Sequence, residues 1–463
     1  MILTNNLRRR ILIFLLLPIN LIAQTERPNI IFILADDMGY GDLGCFGSKV
    51  IHTPNIDQMA AEGIKLTQFY SGSTVCSPSR NSFLTGQHTG HVYIRGNEDQ
   101  ALRPEDLTVA EVLRASGYQT GLFGKWGLGD IHTTGEPSKK GWDTFYGLLH
   151  NVEAHFQFPG IAWKSTPAEP ELQRIRAKAE DGFGCNFYRD MALEWIDQRD
   201  LSKPFFAFLS FPIPHAELVA PKEALKPYQK ANGESIFDEK PFTGSHYGGQ
   251  LMPKAAYAAL VSKLDSYVGD VMNYLKAHDL DKNTIVILTS DNGTHIEGGR
   301  TRDDVELMQS SGEVRGVKRD LYEGGIRVPA VVWGGPLPKG VINSTPGAFW
   351  DLLPTFCEAT ATIPPKHIDG ISLWLNWQNK EVVPERPLYW EFYERGFSKA
   401  VRLGNWKYIY QKNLKGEIKE ELFNLQKDVK ELENLSLLYP DILLTLKDLT
   451  EQMHSTSAVY RME

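Results

Sequence analysis

The chain has 463 residues, 42% hydrophobic and 23% charged, and 49 Lys and Arg stand against 57 Asp and Glu for a formal net charge of −8. That length suits a large domain with a smaller companion, and that charge argues against nucleic acid as a partner. Four cysteines (Cys45, Cys76, Cys185 and Cys357) are too few for a disulfide framework, so buried free thiols are expected.

Arg8, Arg9 and Arg10 precede an apolar run from Ile11 to Ala23, the layout of a secretory signal peptide. Pro18 and Asn20 interrupt that run, so it reads as a leader for a secreted or periplasmic protein and not as a membrane span. Cleavage near Ala23 removes three arginines and no acid, and the formal charge of −8 becomes −11. An anionic substrate would then be drawn in by a local cluster of cations and not by the whole surface.

Asn29 to Ala35 is uninterrupted apolar sequence, the signature of a strand buried on both faces of a parallel sheet, and it ends in Asp36-Asp37. Ligands gather at the carboxyl ends of such strands, and two adjacent carboxylates there invite a cation. Ile64, Leu66, Phe69 and Tyr70 suggest an extended segment leading to Ser73–Gly86 (STVCSPSRNSFLTG). Ser77-Pro78 reads as a helix start, which puts Cys76 just ahead of a helix N-terminus, where free N–H groups and the dipole favour an anion.

His88 to Asn97 is a Gly-punctuated loop whose His91, Arg95 and Asn97 are suited either to reach a substrate or to hold the loop's own backbone. A helix over Leu107–Ser116 and a strand over Tyr118–Phe123 lead into Gly124-Lys-Trp-Gly-Leu-Gly129. The charged stretch Glu171–Glu180 reads as a surface helix or excursion, and Phe187–Arg199 as an amphipathic helix. Pro204–Phe211 is a further buried strand running into Pro212-Ile-Pro-His215.

Residues Ala231–Gly249 form an irregular rim loop, Ala255–His278 a long helix, and Thr284–Thr289 a third core strand followed by Asp291-Asn292. Asp36, Asp37, Asp291 and Asn292 offer only oxygen, a donor set for a hard divalent cation such as Ca²⁺ or Mg²⁺. Ala330–Trp333 is another strand and Phe349–Ala361 a structural helix. Beyond about Trp377, short β-prone runs at Pro387–Tyr393, Ser398–Leu403 and Trp406–Tyr410 suggest a small antiparallel sheet closed by a helix at Asp441–Gln452.

Cys76-Ser-Pro-Ser-Arg80 with Leu84-Thr-Gly86 resembles the signature of the formylglycine-dependent sulfatases, in the alkaline phosphatase superfamily. The resemblance implies an α/β fold with a large, mostly parallel mixed sheet flanked by helices, a catalytic domain over 24–377 and a C-terminal antiparallel subdomain over 378–463. It implies that a maturation enzyme oxidises Cys76 to formylglycine, whose hydrate attacks a sulfate ester and expels sulfate by re-forming the aldehyde. Gly124–Gly129 is similar to the family's Gly-Lys-Trp-His-Leu-Gly, and Gly316–Pro329 to its Gly-x-Lys-x-x-x-x-Glu-Gly-Gly-x-Arg-x-Pro. Lys125 and Lys318 then bind sulfate, His215 matches the general acid, and Arg80 completes the catalytic set, while Glu323 and Arg327 brace their loop.

By the same resemblance the ion at Asp36, Asp37, Asp291 and Asn292 is Ca²⁺, with Mg²⁺ second. Gly127 stands where that motif has His, although some members of the family carry Gly there; His132, His155 and His295 are the candidates to fill the gap, His295 foremost, and His155, His295 and Arg95 are expected against the substrate. The expected substrate is a sulfated saccharide, of galactose or N-acetylgalactosamine type. A phosphonate or phosphodiester hydrolase and a non-catalytic sulfated-glycan binder are the other readings.

Overall fold

The computed structural model describes residues 27–178 and 181–461, so the expected signal peptide lies outside the described residues. The strands run β1 (Asn29–Asp36), β2 (Ile64–Tyr70), β3 (Gln119–Lys125), β4 (Thr144–Leu148), β5 (Ile161–Thr166), β6 (Glu169–Arg176), β7 (Phe205–Pro214), β8 (Thr284–Ser290), β9 (Arg327–Gly334), β10 (Val341–Asn343) and β11 (Gly347–Ala348). Among the described residues they form one eleven-stranded sheet in the order β10-β2-β9-β8-β1-β7-β3-β4-β5-β6, with β11 beside β2. Its centre is parallel: β1 pairs with β7 on one side and β8 on the other, and β3 lies between β7 and β4.

Every residue of β1 is buried, as its unbroken apolar run requires. Alternate side chains divide between the two faces. Ile31, Ile33 and Ala35 pack with the helices Pro54–Glu62, Gly184–Asp197 and Pro253–Ala277, while Ile30, Phe32 and Leu34 pack with Cys76–Thr85, Val109–Ala115 and Leu352–Ala359. Phe32 stacks on Phe83 at 4.3 Å between centroids, which seats the Cys76–Thr85 helix directly over the central strand.

β12 (Leu388–Phe392), β13 (Phe397–Leu403), β14 (Trp406–Lys412) and β15 (Ile418–Asn424) form a separate antiparallel sheet in sequence order, with the helix Pro440–Gln452 packed on it. Its inner face joins the large sheet through Trp390, whose Nε1 donates to the Ser71 carbonyl at 2.9 Å and whose ring lies 5.6 Å from that of Trp350.

Two local expectations need correction. Residues 169–176 form the edge strand β6, paired antiparallel to β5, and not a surface helix. Its two apolar side chains, Leu172 and Ile175, tuck against opposite cores and the charged remainder faces solvent, which blunts an exposed sheet edge. Cys76 is also the first helical residue and not a flanking one: extended Val75 precedes the helix, and the Ser77 hydroxyl does not cap it. That hydroxyl instead donates to the Gly127 carbonyl and accepts from Asn151 Nδ2, while Asn97 Oδ1 accepts from Ser77 N at 2.9 Å and caps the helix from another loop.

Candidate active site

The parallel strands point their carboxyl ends at one place, and each delivers a charged or polar residue there. Asp36 and Asp37 end β1, Asp291 and Asn292 follow β8, Lys125 ends β3 and His215 follows β7. All six are buried, as are Cys76, Arg80 and Lys318. Asp37 turns sharply, with φ at 66°, and its backbone N–H donates to Asp291 Oδ1 at 3.1 Å, which ties the two strand ends together.

Two lysines face two aspartates. Lys125 Nζ lies 2.6 Å from Asp36 Oδ2, and Lys318 Nζ lies 2.8 Å from Asp37 Oδ2 and 2.9 Å from His215 Nε2. Cys76 Sγ lies 3.2 Å from Asp36 Oδ1. Burial would raise the pKa of Asp36, but Lys125, His215 and Arg80 hold it well below the usual carboxylate range. The Cys76 thiol is pushed far up by burial and by Asp291 and Asp36, so this sulfur stays protonated and is a poor nucleophile as it stands.

Arg80 acts as a brace. Its Nε and Nη2 hold Asp291 Oδ2 at 3.1 and 2.9 Å, its Nη2 reaches Asp36 at 3.4 Å, and its Nη1 donates to Ser210 Oγ and the Lys125 carbonyl. All three guanidinium nitrogens are therefore spent on aligning acids and backbone. It holds Asp36, Asp291 and the end of β3 in place.

The oxygen donors fit a hard cation. Asn292 Oδ1 is buried without a hydrogen-bond partner beside Asp37, whose Oδ1 accepts from Asn292 Nδ2 at 2.6 Å. Burial, then the neighbouring Asp36 charge, pushes Asp291 up to about 7 even with Arg80 opposing, a strain a divalent ion would relieve. Asp36, Asp37, Cys76 and His215 each place a ligand atom within 4.8 Å of the others.

The expected histidines behave differently from one another. His155, on the loop after β4, sets Nε2 3.3 Å from Lys125 Nζ and stacks on His215 with ring centroids 3.7 Å apart. Burial, His215 and Lys125 press its pKa well below the ordinary value, so it is neutral. His295, the foremost candidate, does not fill the gap: Nε2 meets the Pro214 carbonyl at 3.0 Å and Nδ1 accepts from Glu297 N at 3.0 Å. With both nitrogens engaged by backbone and a pKa pushed down to about 3 by burial, it is a structural clamp. His132 is exposed, its backbone N–H bonded to Glu136.

Arg95 does not face the site either. It is 2% exposed, and its guanidinium binds Glu391, Ser455 and the Val92 and Gly90 carbonyls, tying the His88–Asn97 loop to the C-terminal sheet. Glu323 and Arg327 brace as expected, Glu323 on Tyr70 and Lys407, Arg327 on the Thr67 carbonyl. Two contributors escaped the sequence reading. Glu297 lies 3.7 Å from both His215 and Lys318 and pairs with Arg319, and Tyr247, on the rim loop, places its hydroxyl 3.4 Å from Glu297 and 3.5 Å from His155 Nδ1. The proximity of Glu297 to the Asp291-Asn292 strand end was its only sequence signal.

Gly127 itself has φ at 79°, and a Cβ there would meet Asn151 Oδ1 at 2.4 Å. Asn151 thus occupies the space a side chain at 127 would need.

A sequence model of the sulfatase family matches residues 28–362. The chain is 30% identical over 414 residues to an N-acetylgalactosamine-6-sulfatase of Rattus norvegicus, covering 82% of this chain and 71% of that one. It is 28% identical to an uncharacterised sulfatase of Schizosaccharomyces pombe across 91% of this chain and 92% of the other. The crystal structure of Ps i-CgsB in complex with k-i-k-neocarrahexaose superposes with a TM-score of 0.77 at 24% identity, over 92% of this chain and 93% of that one.

Proposed function

The chain belongs to the sulfatase family and is a sulfuric ester hydrolase, and from that premise we propose that it removes sulfate from a sulfated carbohydrate of galactose or N-acetylgalactosamine type. The observation that carries this reading is the convergence of Cys76, Lys125, Lys318 and His215 on the Asp36-Asp37 pair. The N-acetylgalactosamine-6-sulfatase relatives support the sugar.

Lys125 and Lys318 act as point charges on the sulfate oxygens and neutralise the anion as it enters the buried site. His215 is the general acid toward the departing sugar oxygen in this reading, a contribution of ~10²–10⁴ in rate, and its neutral ring takes the proton it passes on from Lys318 Nζ, 2.9 Å from Nε2. His155 orients the Lys125 ammonium, and Arg80 keeps Asp36 and Asp291 aligned. Asp36, Asp37, Asp291 and Asn292 are the residues to hold a divalent cation, Ca²⁺ in this reading, which polarises the sulfate oxygens when bound. Residue 76, once oxidised to formylglycine by a maturation enzyme, supplies a hydrated aldehyde as nucleophile, a role the buried protonated thiol does not fill.

We assign export to the segment ahead of residue 24, and the catalytic domain to 24–377 with its subdomain at 378–463. The test is sulfate release by protein matured in its native host, with mass spectrometry of the tryptic peptide Leu66–Arg80 reporting the aldehyde. Release that tracks aldehyde occupancy supports the reading. Full aldehyde occupancy with glycan binding and no turnover leaves the non-catalytic binder, and faster cleavage of the matching phosphate ester leaves the phosphoesterase.

A further inference from the structure

The two lysines of the site are seated in the same way. Lys125 Nζ donates to Asp36 Oδ2 at 2.6 Å and to His155 Nε2 at 3.3 Å, and Lys318 Nζ donates to Asp37 Oδ2 at 2.8 Å and to His215 Nε2 at 2.9 Å. An ammonium carries three N–H donors in tetrahedral directions, so a carboxylate and an imidazole that fix two of them also aim the third, the one left for an oxygen of a bound anion. What holds each imidazole decides where its lysine points. His215 is held by backbone, through Nδ1 and the Ala216 carbonyl. His155 is held differently: among the described residues its Nδ1 meets the Tyr247 hydroxyl, at 3.5 Å.

Chemistry sets the direction of every proton along this contact. An ammonium cannot accept, so His155 Nε2 turns its lone pair to Lys125 and the neutral ring carries its proton on Nδ1. That N–H points at Tyr247 Oη, whose own proton goes to Glu297 Oε2 at 3.4 Å. Burial opposes the charge on Glu297, but Lys318 and His215 keep it ionised, so it can only accept. The same Oε2 lies 3.7 Å from Lys318 Nζ and from His215 Nε2, so one phenol oxygen joins the Lys125 half of the site to the Lys318 half. The rim loop that delivers Tyr247 is pinned at its base, where Phe242 and Gln250 exchange backbone hydrogen bonds of 2.7 and 2.8 Å and Gln250 Nε2 donates to the Leu218 carbonyl on the segment after His215. The Tyr247 ring stands at a steep angle to both imidazoles, with centroids 6.1 Å from His155 and 6.0 Å from His215.

We propose that Tyr247 is a positioning residue for sulfate ester hydrolysis: its hydroxyl fixes the His155 ring with the bare Nε2 toward Lys125, and so aims the remaining Lys125 N–H at the anion. The inference rests on the sulfatase reading of this site. Without the hydroxyl, a ring flip or a change of tautomer turns an imidazole N–H toward Lys125, where donor faces donor and the ammonium swings away. The ring of Tyr247 contributes packing over the imidazoles, and the oxygen alone carries the positioning.

The test reads the tautomer and the coupling. With the histidine ring nitrogens isotopically labelled and the His155 signals assigned by their loss in His155→Gln, nitrogen chemical shifts in the parent place the proton on Nδ1. Tyr247→Phe keeps the ring and the thermal midpoint of the parent, and it moves both His155 shifts toward a mixture of tautomers. In matured protein the same substitution lowers kcat/KM by about three- to tenfold, the worth of one neutral hydrogen bond. The loss is the same on N-acetylgalactosamine 6-sulfate and on 4-methylumbelliferyl sulfate, because Lys125 holds the group the two share. In a His155→Ala background Tyr247→Phe costs less than about twofold, since a residue that acts through another then has nothing to act on. An unchanged His155 tautomer in Tyr247→Phe, a rate equal to that of the parent, or an equal loss in both backgrounds overturns the proposal. Failure of the fully matured parent to release sulfate from either compound would strike the sulfatase reading instead, and the tautomer measurement would still decide what Tyr247 does.

Discussion

The imidazoles of His155 and His215 lie face to face, centroids 3.7 Å apart and planes within 16°. Two cationic rings at that separation would repel strongly, and burial and the adjacent lysines push both pKa values down, so neutral rings are the stable pair. A neutral His155 accepts from Lys125 Nζ and fixes the ammonium between Asp36 and the ring. His155→Ala should lower kcat/KM for sulfate esters by about 10²-fold, and His155→Gln, which keeps an acceptor, should recover part of it. Wild-type rates in His155→Ala would remove the residue from the account.

Gly127→His, which would complete the resemblance to Gly-Lys-Trp-His-Leu-Gly, should harm the protein. The backbone sits at φ 79° and the new Cβ would meet Asn151 Oδ1 at 2.4 Å. Left-handed strain and the displaced Asn151 together cost about 2–4 kcal/mol, read as a lowered urea midpoint. Adding Asn151→Gly should return only the portion owed to the clash. A Gly127→His protein as stable as the parent would mean that this loop is free to remodel.

Residue 76 and the cation separate binding from turnover. Cys76→Ala leaves the helix and its Phe83 packing intact, so the thermal midpoint should stay close to that of the parent while sulfate release is abolished. Asp291→Ala takes away the acid gripped by Arg80 and a member of the oxygen set, so activity and metal dependence should vanish together. Activity that survives exhaustive chelation would sink the cation site.

The central strands were legible because burial on both faces writes an unbroken apolar run: β1, β7 and β8 are each buried along their whole length. The acids and lysines that end strands were legible for the same reason, since polarity resumes abruptly where the sheet stops. Arg95 and His295 could not be sorted from site residues, because their roles depend on partners far away in sequence, Glu391 and Ser455 for Arg95 and the Pro214 carbonyl for His295. β6 was obscured by having only two apolar anchors, too few for either period to stand out.

A buried triad between the two sheets sets the last prediction. Lys407 Nζ lies 2.9 Å from Glu323 Oε1 and 2.8 Å from Glu431 Oε1, one ammonium shared by two fully buried carboxylates. Burial, then the Glu323 charge, raises Glu431 to about 7 against Lys407, while burial is overcome at Glu323, which Lys407, Arg327 and Arg402 hold down at about 2. A carboxylate whose folded pKa exceeds its unfolded value binds more protons when folded, so its contribution is complete below about 4.5 and is lost as pH climbs through 7. Glu323 works in the other direction, and its contribution is lost only as pH falls toward 2, so it is constant between pH 5.5 and 8.5. Glu431→Gln removes the titration and keeps the acceptor for Glu323 N. Between pH 5.5 and 8.5 the parent should therefore lose about 1–3 kcal/mol more than the variant by urea unfolding. Asp265, raised to about 6, titrates in both proteins and cancels in the difference. Lys407→Met, by contrast, strands two buried acids and should cost about 3–5 kcal/mol at neutral pH. Parallel pH profiles for the parent and Glu431→Gln would show that Glu431 is already ionised across this range.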